Sequence, residues 1–224
     1  MKLFIDTANL AHVQEIASWG VLDGVTTNPT LVAKEGADFK KTVVAMCALA
    51  PNVSAQVTAP DADGMIKQAG EYARWHRNVV VKVPMTTDGL KVLSWCRSKK
   101  IRTNTTLIFS TAQAILAAKA GASIISPFIG RLDDAGEDGM GLIAEIMEAW
   151  QHHGFATEVL VASVRHPRHV VDAARLGAHI CTIPYDVFKK LPQHPLTEKG
   201  VAAFRADWEK VSQSAKKPTL IAKR

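Results

Sequence analysis

Cysteine is scarce in this sequence, and its scarcity excludes two kinds of site. The three cysteines, Cys47, Cys96 and Cys181, are widely separated and form no CxxC pair. A disulfide framework and a cysteine-based zinc site both require paired or closely spaced cysteines. We therefore expect three reduced thiols and a cytoplasmic protein.

Long apolar runs are absent as well. No stretch approaches the ~20 residues that a membrane-spanning helix requires. The N-terminal segment MKLFIDTANL reaches Asp6 too early to be a secretory signal. Hydrophobic residues make up 47% of the 224-residue chain and charged residues 21%, as in an ordinary globular protein. The sequence predicts a protein that does not contact membranes.

Motifs that hold metals, nucleotides or a serine nucleophile are also lacking. There is no Walker loop, no HExxH and no GxSxG. The acidic segment from Asp134 to Gly139 resembles a calcium loop, but Gly136 stands where that loop needs Asp or Asn. His166 and His169 have the spacing of half a zinc site, without a second pair of ligands. We predict no metal and no cofactor.

The positive charge is spread along the chain. The net charge is +6, but the basic residues form scattered pairs, such as Lys40-Lys41 and Lys99-Lys100, that are not interleaved with aromatics as a nucleic-acid surface would be. Small anionic substrates are the partner that this charge favours. A basic nucleic-acid-binding protein remains the non-enzymatic alternative, and it predicts salt-sensitive retention on DNA or RNA.

What the chain does contain is a regular alternation of short β-type runs with helical stretches, such as Asp88 to Lys99 and Thr111 to Ala120. This pattern predicts βαβ units and a parallel sheet. Eight units in one chain of this length fit an α/β fold of the (β/α)8 TIM-barrel type. The alternative, an open doubly wound sheet, usually has a glycine-rich loop after its first strand, where this chain has Asp6-Thr-Ala-Asn. The predicted strands are Lys2 to Asp6, Gly24 to Asn28, Val53 to Val57, Val79 to Val83, Arg102 to Phe109, Ser123 to Phe128, Glu158 to Ser163 and His179 to Pro184.

The end of the chain predicts one additional helix. We assign residues 1–195 to the barrel and residues 196–224 to a C-terminal helix and tail, which either belong to the same domain or form an oligomer contact. The helix, roughly Thr197 to Ser214, places four apolar residues at i, i+3, i+7 and i+10: Val201, Phe204, Trp208 and Val211.

The active site of such a barrel lies at the carboxyl ends of its strands. Side chains alternate between the two faces of a strand, so every second residue near a strand end points into the barrel. This rule brings one acid, one lysine, two arginines and several neutral hydrogen-bonding groups to one mouth. The candidates are Asp6, Asn28, Gln56, Lys82, Asn104, Thr106, Ser126, Phe128, Arg131, Ser163 and Arg165.

Lys82 is the sharpest of these signals, because it interrupts the apolar strand VVVKVP. Burial of an unpaired ammonium group lowers its pKa, and a neutral amine attacks carbonyl carbons to form Schiff bases. A structural lysine paired with a carboxylate is the alternative. Asp6 is the only acid among the strand ends and so the candidate acid/base, although an N-cap role before the first helix explains it equally well.

Arg131, Ser163 and Arg165 predict an anion site. Guanidinium groups bind phosphate oxygens through two hydrogen bonds at once, and barrel enzymes often bind phosphate after their late strands. A surface ion pair is the alternative for each arginine taken alone.

Three segments resemble the transaldolase / fructose-6-phosphate aldolase family, and specifically its small transaldolases. They are DGVTTNPTLV at 23–32, VVVKVPMT at 79–86 and SPFIGRLDD at 126–134. The resemblance covers the whole chain and implies a (β/α)8 barrel that transfers a dihydroxyacetone unit between sugar phosphates in the pentose phosphate pathway. It implies no cofactor, and it implies a homo-oligomer, a decamer of two pentamers with the C-terminal helix reaching a neighbour.

The resemblance also implies a role for each candidate. Lys82 corresponds to the Schiff-base lysine and Asp6 to the general acid/base. The remaining correspondences are Asn28 and Asn104 for the sugar hydroxyls, Gln56 and Thr106 for the catalytic water, Arg131, Ser163 and Arg165 for phosphate, and Ser126 and Phe128 for the pocket wall.

Two positions bear on the choice within the family. Larger transaldolases have glutamate where this chain has Gln56, and an amide can orient water but cannot relay its proton. The fructose-6-phosphate aldolases have tyrosine where this chain has Phe128, and the hydroxyl would help water to release free dihydroxyacetone. Phe128 and Arg165 therefore favour a transaldolase, with the aldolase as the nearest alternative. A barrel aldolase of the deoxyribose-phosphate type would leave the Thr-Thr-Asn-Pro segment unexplained.

Overall fold

The computed structural model describes residues 1–36 and 38–215. Within them, eight parallel strands close into a barrel in chain order. The first strand pairs with both the second and the last, so the barrel prediction is confirmed and the open-sheet alternative is wrong. The strands are β1 (Lys2–Asp6), β2 (Gly24–Thr26), β3 (Val53–Gln56), β4 (Val79–Pro84), β5 (Thr103–Ile108), β6 (Ile124–Pro127), β7 (Glu158–Val161) and β8 (Ile180–Pro184).

Helices follow the strands and begin where the sequence provides capping side chains. Asn9, Asp38, Asp61 and Ser110, for example, each accept a backbone N–H at a helix start. The helices among the described residues are α1 (Leu10–Ser18), α2 (Pro29–Glu35), α3 (Phe39–Cys47), α4 (Ala62–Tyr72), α5 (Thr87–Ser98), α6 (Thr111–Ala120), α7 (Ile129–Asp134), α8 (Gly139–His153), α9 (Pro167–Arg175), α10 (Tyr185–Phe188) and α11 (Pro195–Ala215).

The inside of the barrel has an apolar layer below a polar one. The apolar layer is a buried cluster that includes Phe4, Val80, Ile124, Leu160 and Ile180. Two residues further along four of these strands stand the polar residues Asp6, Lys82, Ser126 and Thr182. Because strand side chains alternate, the polar residues point into the barrel as the apolar cluster does. They lie above this cluster, which we call the apolar plug. The plug keeps water out of the lower barrel, so the polar groups form the floor of the mouth.

Gly24 makes room for the plug. A Cβ atom at this position would lie 2.6 Å from the ring of Phe4, well inside van der Waals contact. The glycine of β2 therefore allows a phenylalanine from the neighbouring strand to fill the barrel.

Two predicted strands end two residues earlier than expected. β2 ends at Thr26 and β7 at Val161, so Asn28 and Ser163 lie in the loops that follow. Asn28 leaves the strand because it caps α2, and Ser163 adopts a left-handed backbone conformation with φ of 64°. A bulge interrupts the pairing of β5 with β6 between Thr105 and Ile108.

The chain divides into two compact units, residues 1–188 and a second unit that starts at Lys189. The second contains α11, so the predicted C-terminal helix is confirmed, while residues 216–224 of the predicted tail lie outside the described residues. The four apolar side chains predicted from the spacing in α11 are all exposed: Val201, Phe204, Trp208 and Val211. Of the helices in the described ranges, none has the length and apolar character needed to cross a membrane.

Candidate active site

A cavity of about 250 Å³ opens at the carboxyl ends of the strands. Most of the residues predicted from the strand ends line it together: Asp6, Asn28, Lys82, Ser126, Phe128, Arg131, Ser163 and Arg165. They come from loops and strands spread over most of the barrel sequence, and only closure of the barrel brings them to one place.

Lys82 forms the floor of this cavity and is only 4% exposed. Its Nζ donates a hydrogen bond of 2.8 Å to the backbone oxygen of Thr27. No carboxylate among residues 1–36 and 38–215 forms an ion pair with it, so the alternative of a salt-bridged structural lysine is wrong. Burial lowers the pKa of Lys82; the nearby charge of Asp6 opposes the shift and that of Arg131 adds to it. The amine is therefore easier to deprotonate than an ordinary lysine.

Asp6 is held by Thr26, which is itself hydrogen-bonded to Thr182. Thr26 Oγ1 donates to Asp6 Oδ1 at 2.7 Å and lies 2.6 Å from Thr182 Oγ1. The N-cap alternative for Asp6 is wrong, because Asn9 caps α1 by accepting from the backbone nitrogens of residues 11 and 12. The Asp6 carboxylate is thus free to face the cavity, with one oxygen oriented by Thr26.

Asn28 and Asn104 stand at different depths. The side-chain oxygen of Asn28 accepts from the backbone nitrogen of Leu31 at 3.0 Å, which leaves its N–H groups for a ligand in the cavity. Asn104 is fully buried and does not line the cavity. It donates to Ser54 Oγ at 3.1 Å and accepts from Ser126 Oγ at 2.6 Å, so it orients Ser126 from behind.

The two residues assigned to the catalytic water lie beside the cavity. Gln56 pairs in register with Lys82, and Thr106 with Pro84. Gln56 lines a neighbouring, mostly apolar cavity of about 240 Å³, and Asn28 borders both cavities. Thr106 is buried. The strand register therefore keeps Gln56 next to Lys82, although its amide faces the second cavity.

At the cavity, Arg131 lies over an aromatic ring. Its guanidinium carbon is 5.0 Å from the ring centre of Phe128, within cation–π range. Phe128 in turn packs edge to face against Phe109 at 5.9 Å. Arg131 is exposed, and the aromatic support holds a cation at the cavity rim.

Arg165 reaches the same rim from the loop after β7. Ser163 in that loop has a positive φ of 64°, which is uncommon for a residue with a side chain. Gly130 allows the loop to approach α7, because a Cβ there would lie 2.1 Å from the backbone oxygen of Ser163 and 2.7 Å from Arg165 Nε. The Arg165 guanidinium pairs with Asp134 at 2.5 Å.

The residues discounted as metal ligands have other contacts. His169 Nδ1 accepts from the backbone nitrogen of Arg165 at 3.3 Å, and its Nε2 lies 3.4 Å from Asp133 Oδ2. Asp138 caps α8. Within the described parts of the chain, no group of three or more His, Cys, Asp and Glu residues is arranged to hold a metal.

Sequence reasoning missed two residues of the site, Thr26 and Thr182. Both line the cavity and are nearly completely buried, and both belong to the hydrogen-bonded group around Asp6. The signal for Thr182 was present: it lies two residues before the end of β8, and the same period-two reading applied to the last strand would have placed it at the mouth.

The fold and the site together define a (β/α)8-barrel protein whose polar cavity occupies the place of the active site in enzymes of this fold. Residues 3–216 match the family described as Transaldolase/Fructose-6-phosphate aldolase. The chain belongs to this family, and the expected resemblance is confirmed.

Curated relatives agree with this membership. A "Probable transaldolase" of Methanococcus maripaludis strain C7 is 54% identical over 210 residues, which cover 93% of this chain and 98% of the relative. One of Roseiflexus sp. strain RS-1 is 54% identical over 211 residues, covering 93% and 97%. A mandelate oxidase variant solved with an FMN adduct has a TM-score of 0.58 at 16% identity, over 82% of this chain and 64% of that one; this likeness concerns the fold alone. The chain is thus an enzyme of the transaldolase family.

Proposed function

We propose that the protein is a transaldolase that transfers a dihydroxyacetone unit through a Schiff base on Lys82. The observation that carries the proposal is the state of this lysine. It is 4% exposed, is hydrogen-bonded to a backbone oxygen without a carboxylate partner, and points into the cavity that Asp6 also lines. A desolvated amine with a lowered pKa is the form of lysine that attacks a carbonyl.

The chemistry then follows from the positions of the two groups. Lys82 adds to the C2 carbonyl of a ketose phosphate, and loss of water gives an imine. Asp6 takes the proton of the C4 hydroxyl, the C3–C4 bond breaks, and the bond electrons move into the imine to give an enamine. An aldose phosphate leaves, and a second aldose phosphate accepts the three-carbon unit by the reverse steps. The imine itself is the electron sink, so the proposal includes no cofactor.

Arg131, Ser163 and Arg165 bind the substrate's phosphate in this proposal. Two guanidinium groups at one rim supply charge-assisted hydrogen bonds to phosphate oxygens. The phosphate then fixes the direction in which the sugar enters, with its carbonyl carbon toward Lys82. Asn28 and Ser126 both line the cavity. Asn28 donates to the sugar's hydroxyls, whereas Ser126 accepts from them, because its own hydroxyl proton is donated to Asn104 Oδ1.

Phe128 favours transfer over hydrolysis. Its ring lies in the cavity wall beneath the Arg131 guanidinium and offers no hydroxyl to carry a proton to the enamine. Gln56 and Thr106, in register with the two ends of the Lys82 to Pro84 segment, orient the water that is released when the imine forms and consumed when it is hydrolysed. The second candidate function, a fructose-6-phosphate aldolase, requires that water discharge the enamine without an acceptor.

The family resemblance extends the proposal to the cellular setting. Fructose 6-phosphate or sedoheptulose 7-phosphate is the proposed donor, in the pentose phosphate pathway of the cytoplasm. A homo-oligomer, pentameric or decameric, is proposed to involve the exposed apolar residues of α11. Residues 196–224 are then an oligomer contact rather than part of the catalytic barrel. Binding partners other than sugar phosphates, such as nucleic acids or membranes, are not part of the proposal.

Borohydride trapping tests the proposal directly. Incubation with fructose 6-phosphate and reduction should attach a three-carbon adduct to Lys82, located by peptide mass spectrometry. Release of glyceraldehyde 3-phosphate should then turn over only when erythrose 4-phosphate is supplied. An adduct without acceptor dependence would mean the aldolase, and the absence of any adduct at Lys82 would reject both functions. Lys91→Met provides a matched control, because Lys91 is exposed and pairs with Asp88 outside the cavity.

A further inference from the structure

The two arginines of the anion site are held in different ways. Arg131 lies over the ring of Phe128, and none of the ion pairs found among the described residues involves it. The guanidinium of Arg165 is already occupied, because its Nη2 donates to Asp134 Oδ2 at 2.5 Å. The anion that enters this rim therefore meets one arginine with free donors and one that is bound to a carboxylate.

Asp134 belongs to the same short helix as Arg131, three residues further along α7. Residues three apart lie on the same side of a helix, so α7 brings a cation and an anion to the same rim. The acid does not cap the next helix, because Asp138 caps α8 and Asp133 accepts from the backbone nitrogen of Gly139. The contact with Arg165 is the one hydrogen bond of the Asp134 carboxylate in the described chain.

The backbone of Arg165 is fixed independently of Asp134. Its N–H donates to His169 Nδ1, and the Ser163 backbone oxygen packs against Gly130 with no room for a Cβ. Loss of the carboxylate should therefore leave the loop in place and free only the guanidinium. The side chains of Arg165 and Asp134 are 46% and 62% exposed, and an exposed ion pair is weak enough for a phosphate to replace it.

We propose that Asp134 is an internal counter-ion of Arg165, which a phosphate group must displace, so that this residue sets the affinity of the site for phosphorylated substrates. The inference rests on the proposed function in that it takes the rim of Arg131 and Arg165 as the phosphate site. While the site is empty, Asp134 neutralises Arg165. When phosphate binds, Arg165 turns to the phosphate oxygens and leaves Asp134 to water. Asp134 is thus a specificity-determining residue that weakens binding and speeds the release of phosphorylated products.

Asp134→Asn should tighten binding. The amide keeps the size of the side chain but removes the charge that competes for Arg165 and repels phosphate. Isothermal titration with inorganic phosphate at low salt should give a dissociation constant about three- to tenfold smaller than that of the wild type, from the modest strength of exposed pairs. The gain should shrink at high salt because such charges are screened. Asp134→Glu, which keeps the charge, should stay close to the wild type.

Two controls separate this role from a general change of charge. Glu148→Gln removes one negative charge from an exposed residue of α8 that lies 3.9 Å from His152, and it should leave phosphate binding unchanged. Arg165→Met should weaken binding, and in that background Asp134→Asn should bring less than half of its effect on the logarithm of the affinity. In steady-state assays, Asp134→Asn should lower KM for the ketose phosphate without raising kcat, because product release slows.

An unchanged or weaker phosphate affinity in Asp134→Asn would overturn the proposal. Equal tightening by Glu148→Gln would do the same, since the effect would then come from net charge. If Asp134→Asn binds phosphate more tightly but no Schiff base forms with a ketose phosphate, the counter-ion role stands and the proposed function fails. If neither protein binds phosphate, the counter-ion proposal fails, and borohydride trapping at Lys82 then tests the proposed function separately.

Discussion

The floor and the rim of the active-site cavity differ in what controls their electrostatics. On the floor, Lys82, Thr26 and Thr182 are all less than 5% exposed, and their contacts are hydrogen bonds to neutral groups or to Asp6. At the rim, Arg165 and Asp134 are about half exposed and pair as opposite charges. Burial controls the first region, and competition among ions in water controls the second.

The difference indicates which property each region can offer a reaction. A buried lysine loses part of its preference for the charged form, which makes it a nucleophile but costs folding free energy. An exposed arginine keeps its charge and its mobility, so it can bind an anion and release it again. Substitutions on the floor should therefore act on kcat and on stability, while substitutions at the rim should act on KM and on salt dependence.

The largest effect is expected for Lys82→Met. Without the amine no imine forms, and turnover should fall by at least about 10⁴-fold, as for loss of a covalent nucleophile. Stability should rise at the same time, because methionine fills the site without burying an amine. Thermal unfolding at pH 7 measures this second effect, with exposed Lys91→Met as the control. An active Lys82→Met enzyme would contradict the role of Lys82 as the nucleophile. A less stable one would contradict the conclusion that burial of this lysine costs folding free energy.

The stability gain should also depend on pH. In the unfolded chain Lys82 has the ordinary lysine pKa of 10.5, whereas burial lowers its pKa in the folded protein. Between the lowered pKa and pH 10.5 the unfolded state therefore binds more protons, and the buried lysine costs stability at any pH below 10.5. The cost grows as pH falls from 10.5 toward the lowered pKa and is constant below it. The melting-temperature difference between Lys82→Met and the wild type should narrow as pH rises toward 10.5.

Asp6→Asn should have the next largest effect. The amide oxygen can still accept from Thr26 Oγ1, so the geometry is preserved while the base is lost. Cleavage of the C–C bond should slow by about 10²–10⁴-fold, the usual contribution of general acid–base catalysis, while borohydride still traps an imine at Lys82. Rapid-quench measurement of aldose release separates the two steps. An unchanged release rate would assign the proton transfer to another group.

Arg131→Met tests the rim. Loss of one charge-assisted hydrogen bond should raise KM for fructose 6-phosphate by about ten- to a hundredfold, since such bonds are worth about 1.5–3 kcal/mol. The effect on kcat should be smaller, and the residual binding should depend less on salt than that of the wild type. Arg175→Met, at an exposed residue of α9 that pairs with Asp172, is the control. A large fall in kcat with unchanged KM would show that Arg131 acts in the chemical step rather than in substrate binding.

Phe128→Tyr tests the boundary between the two regions. A hydroxyl in the cavity wall should help water to protonate the enamine, and release of glyceraldehyde 3-phosphate without an acceptor should rise by about tenfold, at the low end of acid–base effects. The ratio of rates with and without erythrose 4-phosphate measures the change. Phe109→Tyr, at the ring that packs against Phe128, is a matched control. If the ratio does not change, the missing hydroxyl at Phe128 is not the reason that transfer is favoured over hydrolysis.

The smallest effect is expected for Thr182→Val, which keeps the side chain's shape and removes one hydroxyl from the Asp6 group. Loss of a single buried hydrogen bond, worth about 1 kcal/mol, should lower kcat by about fivefold. KM and phosphate binding should not change. Thr157→Val removes another buried hydroxyl, which donates to the backbone of Ala122 in the barrel wall, and should lower stability without this selective loss. If the two variants have the same kinetics, the Thr182 hydroxyl does not contribute to catalysis through the hydrogen-bonded group around Asp6.

Strand periodicity predicted much of the site, because a parallel barrel places all its strand ends on one side. Lys82, Asp6 and Ser126 were found by this rule alone, and the family motifs supplied their proposed roles. The alternation of side chains along a strand does not say, however, how deep inside the barrel a residue lies. It could not distinguish Asn28, which borders the cavity from the loop after β2, from Asn104, which is the second residue of β5 and lies buried behind Ser126.

The sequence by itself determined the barrel, the family and most of the residues at its mouth, because local pattern and motif identity are written along the chain. Tertiary structure alone decided which of them touch. Thr26 meets Thr182 across 156 positions, and Arg165 meets Asp134 across 31. These contacts depend on the closure of β1 against β8 and on the approach of the Ser163 loop to Gly130. Desolvation of Lys82 has the same origin: water is excluded only when eight strands and the apolar plug surround it.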